Sequence, residues 1–461
     1  MNAQCKSLRQ TSLKSNCCTI ESLEGRRLLS GWTTSDDFVQ PPAGIGNYAI
    51  PAAMTADSAG NVFAVGESVD YSNNHSYAIA RRKSSASSQW QTVAMVQSTG
   101  SFAAKFTGVA VAPSGDVYLC GIIGGSITSG AASRVWKGTW DATGTSLSLS
   151  VVDTQSTGQY EGIAVDAAGN VFVVGHFAVY KGSKASNHWF VRKQDGGQGA
   201  FAAVDDYIFN NSYTVANAVS VIPSGPNAGV YVVGRGGGGD SPYAISAGAN
   251  WIVRKSSNAG SSWSNVDTFQ LDPSTNAPAV AKAIAVNENG TLSVMGSASN
   301  RVRTGGTPNK PVYTTTHRWY MRSSSDGGAS WSNHDVYPES ASTTFNGAMA
   351  VTTDRAGNTY VGGTLNSRSI VRSNAGGSWS TSDDAQLYAD GQGATAMTRD
   401  ASGTVYVGGS AMEPAPIYDE HWIVRAMNPA TTVQSGGGTG ASIFANSRIA
   451  DPNEDKLEEL L

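Results

Sequence analysis

Seven short runs along the chain share one grammar: a polar turn, a stretch of alternating apolar residues and a closing glycine. They read AGNVFAVG, SGDVYLCG, AGNVFVVG, NAGVYVVG, NGTLSVMG, AGNTYVGG and SGTVYVGG, and they close at Gly66, Gly121, Gly175, Gly234, Gly296, Gly363 and Gly409. Successive copies lie 46 to 67 residues apart. A repeat of that length is one supersecondary unit that cannot bury its apolar faces alone and must stack on its neighbours. The 461 residues would otherwise suggest about three ordinary domains, a prior that the repeat overrides.

Within one period the β signals come in fours. In the fourth unit an Ala-rich run around Ala218 to Ile222 is followed by a Pro/Gly turn, VYVVG to Gly234, WIVRK from Trp251 and WSNVDTFQ from Trp263. Each run is strand-length, rich in β-branched and aromatic residues and bounded by turn formers. We call these strands A to D. Strand A carries small residues at Ala53, Gly108, Gly162, Ala283 and Ala396, as expected where several backbones converge on an axis. Strands B and C read apolar on both faces, as sheets sandwiched between neighbours do. The composition agrees: 14% charged residues and 53 glycines suit short strands and tight turns rather than helices. The expected fold is all-β, a seven-bladed β-propeller of four-stranded antiparallel blades over residues 31–432.

The C-to-D turn carries a further motif. Ser324, Asp326, Gly328 and Trp331 fit S-x-D-x-G-x-x-W, and Ser256, Asn258, Gly260 and Trp263 fit it with Asn for Asp. Unit six keeps Asn374, Gly376 and Trp379 with the Ser displaced to 373, while unit three retains only Asp195 and Gly197. This resembles the Asp-box, or BNR, repeat of sialidase-like propellers. A short polar side chain bonds its own turn, glycine permits positive φ, and the indole fills the space between sheets. The resemblance therefore implies a fold marker rather than chemistry.

After the seventh strand C, HWIVR from His421, no D-type strand follows, whereas WTTSDDFVQ from Trp32 is closely similar to WSTSDDAQL from Trp379. The N-terminus is thus expected to supply the outer strand of the last blade, which would remove an exposed edge. Residues 1–30 lack the apolar stretch of a secretory signal. IESLEGRRLLS nevertheless resembles the LExR-x-LL segment at the start of many bacterial exported proteins, through Glu24, Arg26, Leu28 and Leu29, and this implies an extracellular or cell-surface location. Residues 433–461 read as a Gly-rich linker and a short acidic helix that Asp451, Pro452 and Glu454 would start.

Chemistry is expected on the face of the B-to-C loops, which are long and dissimilar. The candidate binding residues there are Glu67, Tyr71, His176, Tyr180, Arg235, Tyr243, Arg303, Tyr418 and Asp419, a mixture of tyrosines and charges suited to polar, carbohydrate-like ligands. No catalytic residue is assigned. Glu413, Asp419 and Glu420 crowd one loop and could face Glu67 or Asp70, but spacing does not fix their separation, on which a glycosidase reading depends. Sialidases, which the turn motif resembles, need three arginines on a carboxylate, a Tyr nucleophile activated by Glu and an Asp acid. Arg192, Arg254, Arg322, Arg372 and Arg425 instead recur at the end of strand C, following the repeat rather than breaking it, and are expected to stack on aromatic rings and bond turn backbone. His188, His317 and His421 recur likewise, and no His has metal-ligand spacing. GRGGGG from Gly234 has no helix after it, which removes a dinucleotide reading.

A formal charge of −4 gives no global field for nucleic acid or an anionic membrane, and no apolar run approaches the length of a spanning helix. Cys5, Cys17, Cys18 and Cys120 form neither a disulfide framework nor a metal site. The sequence thus describes a secreted, monomeric propeller that requires no cofactor or metal. Its expected role is a binding or scaffold module for an extracellular glycan or protein. The alternatives are a sialidase-like Asp-box glycoside hydrolase and an assembly factor.

Overall fold

A computed structural model describes residues 31–428, apart from 45, 99–103, 125–131, 182–183, 239–246, 308–309, 341–346 and 389. The leader read at residues 1–30 and the linker and helix read at 433–461 lie outside the described residues. The strands fall into five four-stranded antiparallel sheets and one eight-stranded sheet, and each repeat unit forms a meander. In unit four the order is Thr214–Ile222, Gly229–Gly236, Asn250–Ser256 and Ser264–Phe269. The eight-stranded sheet joins units seven and one through a single parallel bridge, Tyr48 to Glu420. Thr33–Phe38 pairs antiparallel with Glu420–Met427, from Thr33 opposite Ala426 to Phe38 opposite Trp422. Strand A of each unit lies against strand A of the next, and Asp390–Arg399 of unit seven lies against Tyr48–Ala56 of unit one. This architecture is a β-propeller.

The closing glycines follow from a defect in the ladder. In all seven units the A–B register slips by one residue, at Ala52, Thr107, Glu161, Asn217, Lys282, Met349 and Thr395. Such a bulge bends strand A and redirects the carbonyl upstream of it. A Cβ on Gly66, Gly121, Gly175, Gly234, Gly296, Gly363 or Gly409 would overlap the carbonyl oxygen of Ile50, Lys105, Gln159, Val215, Val280, Gly347 or Gly393 respectively. The small residue after the bulge answers a second crowding: a Cβ on Gly108 would meet Ile163 of the next unit at 3.2 Å. Three bulge side chains bond across to the next unit. Thr107 Oγ1 donates to Tyr160 O at 2.6 Å, Asn217 Nδ2 to Ala281 O at 2.7 Å and Thr395 Oγ1 to Pro51 O at 2.7 Å.

Between units, indoles and ion pairs do different work. Trp189 and Trp251 on strand C are fully buried, and each sits over the closing glycine of the following unit, Gly234 and Gly296. At about 25 cal/mol/Å² over 150–250 Å², each ring contributes at most roughly 4–6 kcal/mol. The strand C arginines reach back instead, to a carboxylate on strand D of the preceding unit: Arg192 to Asp153 at 2.7 Å, Arg254 to Asp205 at 2.8 Å, Arg322 to Asp267 at 2.7 Å and Arg425 to Asp383 at 2.6 Å. Arg81 of unit one reaches Asp36 of the N-terminal strand in the same way, at 2.7 Å. Arg81, Arg254 and Arg322 stack on Phe38, Tyr207 and Phe269. The expected aromatic stacking is therefore present, but the main polar partner is a carboxylate rather than turn backbone. Arg372 donates to Val336 O and to Thr381 Oγ1, both at 3.0 Å. Burial pushes Asp36, Asp205 and Asp267 above the usual carboxylate range despite their arginines, so desolvation offsets much of the attraction in these pairs.

The second aspartate of each DD dipeptide faces its own unit: Asp206 meets His188 at 2.7 Å, Asp384 meets Arg368 at 2.6 Å and Asp37 meets His421 at 2.6 Å. In the C-to-D turns, Gly260 N donates to Ser256 Oγ and Gly328 N to Ser324 Oγ, both at 2.8 Å, while Ser262 N and Ser330 N donate to Asn258 and Asp326, both at 2.9 Å. Gly260 and Gly328 have φ of 94° and 97°. Trp263 Nε1 donates to Gly260 O, and Trp331 Nε1 crosses to Val266 O. Unit six differs. Its displaced Ser leaves Asn374 to accept from Thr359 N at 2.7 Å, and the positive φ falls on Gly377 rather than Gly376. Trp379 packs in the cluster around Met321 and Val361.

Candidate functional site: the mouth between units seven and one

Where the N-terminal strand hands over to unit one, three loops meet: 39–47, the B-to-C loop of unit one and the B-to-C loop of unit seven. Asn47 ties the first two together. Its Nδ2 donates to Gln40 O and Pro42 O, both at 3.1 Å, and its Oδ1 accepts from Tyr71 N at 2.8 Å. The Asp419 carboxylate ties in the third, accepting from the backbone N–H groups of Gly44, Gly46 (2.8 Å) and Asn47 (3.0 Å). Asp70 caps its own loop through Ser72 and Asn73, whose side-chain donors hold it below the usual carboxylate range. The loops are thereby set before any ligand arrives.

On this support stand two exposed rings, Tyr71 at 53% and Tyr418 at 55%, with Tyr48 5.9 Å from Tyr71. Beneath them Glu67 pairs with Lys105 at 3.0 Å, and Ser410 Oγ donates to Glu420 Oε1 at 2.5 Å. Partial burial raises the Tyr71 phenol, and the charges of Glu420 and Glu67 raise it further. Both carboxylates therefore act on one hydroxyl, which stays protonated as a donor. Glu413 instead turns to His421, at 3.4 Å. The arrangement offers aromatic faces, a cation, carboxylate acceptors and a phenol donor on a fixed frame.

The nine candidate residues are thus divided among three places. Glu67, Tyr71 and Tyr418 come together at this mouth, and Asp419 lies beneath it as an anchor of backbone. His176 and Arg235 are buried near the inner rim: His176 Nδ1 lies 3.3 Å from the Glu161 carboxylate, and burial lowers the Arg235 guanidinium to about 10. Arg303 stands apart on the hairpin of unit five. The side chain of Tyr180 and all of Tyr243 lie outside the described residues. Glu420, read from the sequence as part of an acidic loop that could face Glu67, does act with Glu67 on Tyr71, whereas sequence reasoning missed Lys105 and Tyr48 as members of the mouth. Only the register of strand A brings them there. The Cys120 thiol is buried and pushed up to about 12, which leaves it unreactive. Among the described residues no group of three or more His, Cys, Asp or Glu could hold a metal, and no helix is long and apolar enough to cross a membrane.

No protein-family model matches the sequence, and no curated protein matches it. Solved structures do. The polysaccharide lyase Uly1 is similar with a TM-score of 0.50 at 11% identity, over 84% of this chain and 90% of that one. An α-L-arabinanase from Penicillium chrysogenum gives 0.42 at 12% identity over 86% and 96%. The β-propeller domain of the Trilobed protease from Pyrococcus furiosus gives 0.43 at 10% identity over 84% and 94%. At such identities the likeness to the lyase is one of fold alone.

Proposed function

We propose that the chain is a seven-bladed β-propeller, closed by Thr33–Phe38 and carrying Asp-box turns, that is exported or held at the cell surface and binds a glycan at the mouth between units seven and one. The pairing of Thr33–Phe38 with Glu420–Met427 and the Arg81–Asp36 pair support closure. One observation carries the functional reading: Tyr71 and Tyr418 stand more than half exposed on loops pinned by Asn47 and Asp419, above Glu67, Lys105 and Glu420. Exposed rings on a rigid frame lose little entropy on binding, and sugars offer both apolar faces and hydroxyls to such a site. The acids around the mouth already hold donors, which favours binding over turnover. An extracellular protein is the other ligand this surface could take.

Affinity electrophoresis in gels containing polysaccharides tests this, with wild type retarded and Tyr71→Ala weakened about tenfold, the worth of one aromatic contact of roughly 1.4 kcal/mol. The hydrolase reading draws on the convergence of Glu67 and Glu420 on Tyr71. Turnover of chromogenic glycosides that disappears in Glu67→Gln or Glu420→Gln would establish it and overturn the binder.

A further inference from the structure

One unit departs from the others in shape and in charge. In unit five the B and C strands, Leu292–Thr307 and Lys310–Ser324, have 16 and 15 residues, against 11 at most in the other units. Strand A of this unit ends its pairing at Ala298, and strand D ends at His317. Beyond those points the two strands pair only with each other, from Asn300 opposite Thr316 to Thr307 opposite Lys310. At about 3.3 Å per residue this ribbon stands roughly 25 Å clear of its sheet. It springs from a B-to-C connection, so it rises on the same face as Tyr71 and Tyr418.

The arm is basic in a chain whose net charge is −4. It carries Arg301, Arg303 and Lys310, and no Asp or Glu occurs between Glu288 and Asp326. Arg301 lies over the Tyr313 ring at 4.3 Å and donates to Thr275 O at 3.0 Å. Arg303 donates to Gly305 O and Gly306 O at 3.2 and 2.9 Å. These contacts orient the guanidinium groups without neutralising them. Among the described residues no carboxylate pairs with Arg301, Arg303 or Lys310. Asp272, in the turn that receives Arg301, is taken by Ser274 and Thr275 at 2.6 and 2.7 Å. Register puts Arg301 and Arg303 on one face with Tyr313, spaced about 7 Å apart along the strand.

We propose that this arm docks an acidic polysaccharide, a uronate-bearing chain, on the loop face that also carries the mouth. The inference rests on the glycan reading above and names the class of glycan. Cations this sparse match a chain with one carboxylate per sugar better than duplex DNA, which carries a charge every 1.7 Å or so.

The test uses the full chain with polygalacturonate and with the same polymer fully methyl-esterified, which keeps the backbone and removes the charge. Wild type should bind polygalacturonate more tightly, and the preference should shrink as salt rises from about 50 to about 200 mM. The variant Arg301→Gln/Arg303→Gln/Lys310→Gln should lose about tenfold on polygalacturonate and nothing on the ester, since three solvent-accessible charge contacts, Arg301 half-buried and the other two exposed, sum to about that much. Its melting curve should match wild type because the arm stands outside the sheets. Equal binding of polygalacturonate by variant and wild type would overturn the proposal. So would an equal affinity for duplex DNA lost in the same variant, or a dimer that the variant dissolves in sedimentation, each of which assigns the arm another occupant. If neither polymer binds, this proposal falls, and if no polysaccharide retards the protein in affinity electrophoresis the glycan reading falls with it. If the ester binds through Tyr71 and charge adds nothing, only the arm proposal falls.

Discussion

Gly175→Ala is the most direct challenge to the bulge-and-glycine account. The added methyl would lie 1.8 Å from the Gln159 carbonyl oxygen, 2.9 Å from its carbon and 3.1 Å from Phe190 Cζ. Carbon atoms settle at about 3.5–4.0 Å from one another and real Cβ contacts stay beyond about 3 Å, so strand A must retreat by roughly 1 Å or more. Overpacking of a well-filled site costs about 1–3 kcal/mol, and an obstacle made of backbone belongs at the upper end. At about 2.1 cal/mol/K per residue over some 400 ordered residues, 3 kcal/mol corresponds to a fall in Tm of roughly 4 °C. Gly376→Ala supplies the control, because nothing lies within 4 Å of its Cβ position and its φ is not positive. There the methyl should leave stability unchanged or raise it by about 0.4–1 kcal/mol through the unfolded chain. Calorimetry on both variants decides the matter. A Gly175→Ala melting point equal to that of Gly376→Ala would refute the argument that a redirected carbonyl demands glycine.

Two further predictions concern charge. Asp36→Ala strands the buried Arg81 guanidinium and should cost about 3 kcal/mol by denaturant unfolding, and adding Arg81→Met should recover part of it; full additivity of the two would contradict the pairing. Asp326 is held at about 2 by the Ser330 hydroxyl and amide and then by the Ser324 hydroxyl. A depressed carboxyl contributes stability above its unfolded value and loses it as pH falls, so wild type should lose an increment between about pH 4 and pH 2 that Asp326→Ala lacks.

The framework was legible because it repeats. Seven closing glycines and the likeness of the Trp32 and Trp379 segments state the unit and its missing strand in the sequence itself. The bulge residues were not legible, because Ala52, Thr107, Glu161, Asn217, Lys282, Met349 and Thr395 share a position but no chemistry. Nothing in a string of residues marks where a ladder slips. The mouth fared in between. Glu67 and Tyr71 follow a closing glycine and could be found from it, and Glu420 stood out in a loop of acids, whereas Lys105 and Tyr48 arrive on strand A through register across different units. Asp419 looked like a ligand group because its residue type suits one. Its backbone partners, Gly44 to Asn47, lie more than 370 positions away.

The bonds from Thr107, Asn217 and Thr395 all point the same way, from one unit's inner strand to the following one. That polarity gives the assembly a sense of rotation at its hub, like pawls on a wheel. A sheet in one of these three pairs that slid along the axis would break the bond, so its misplacement is felt directly by the neighbouring unit.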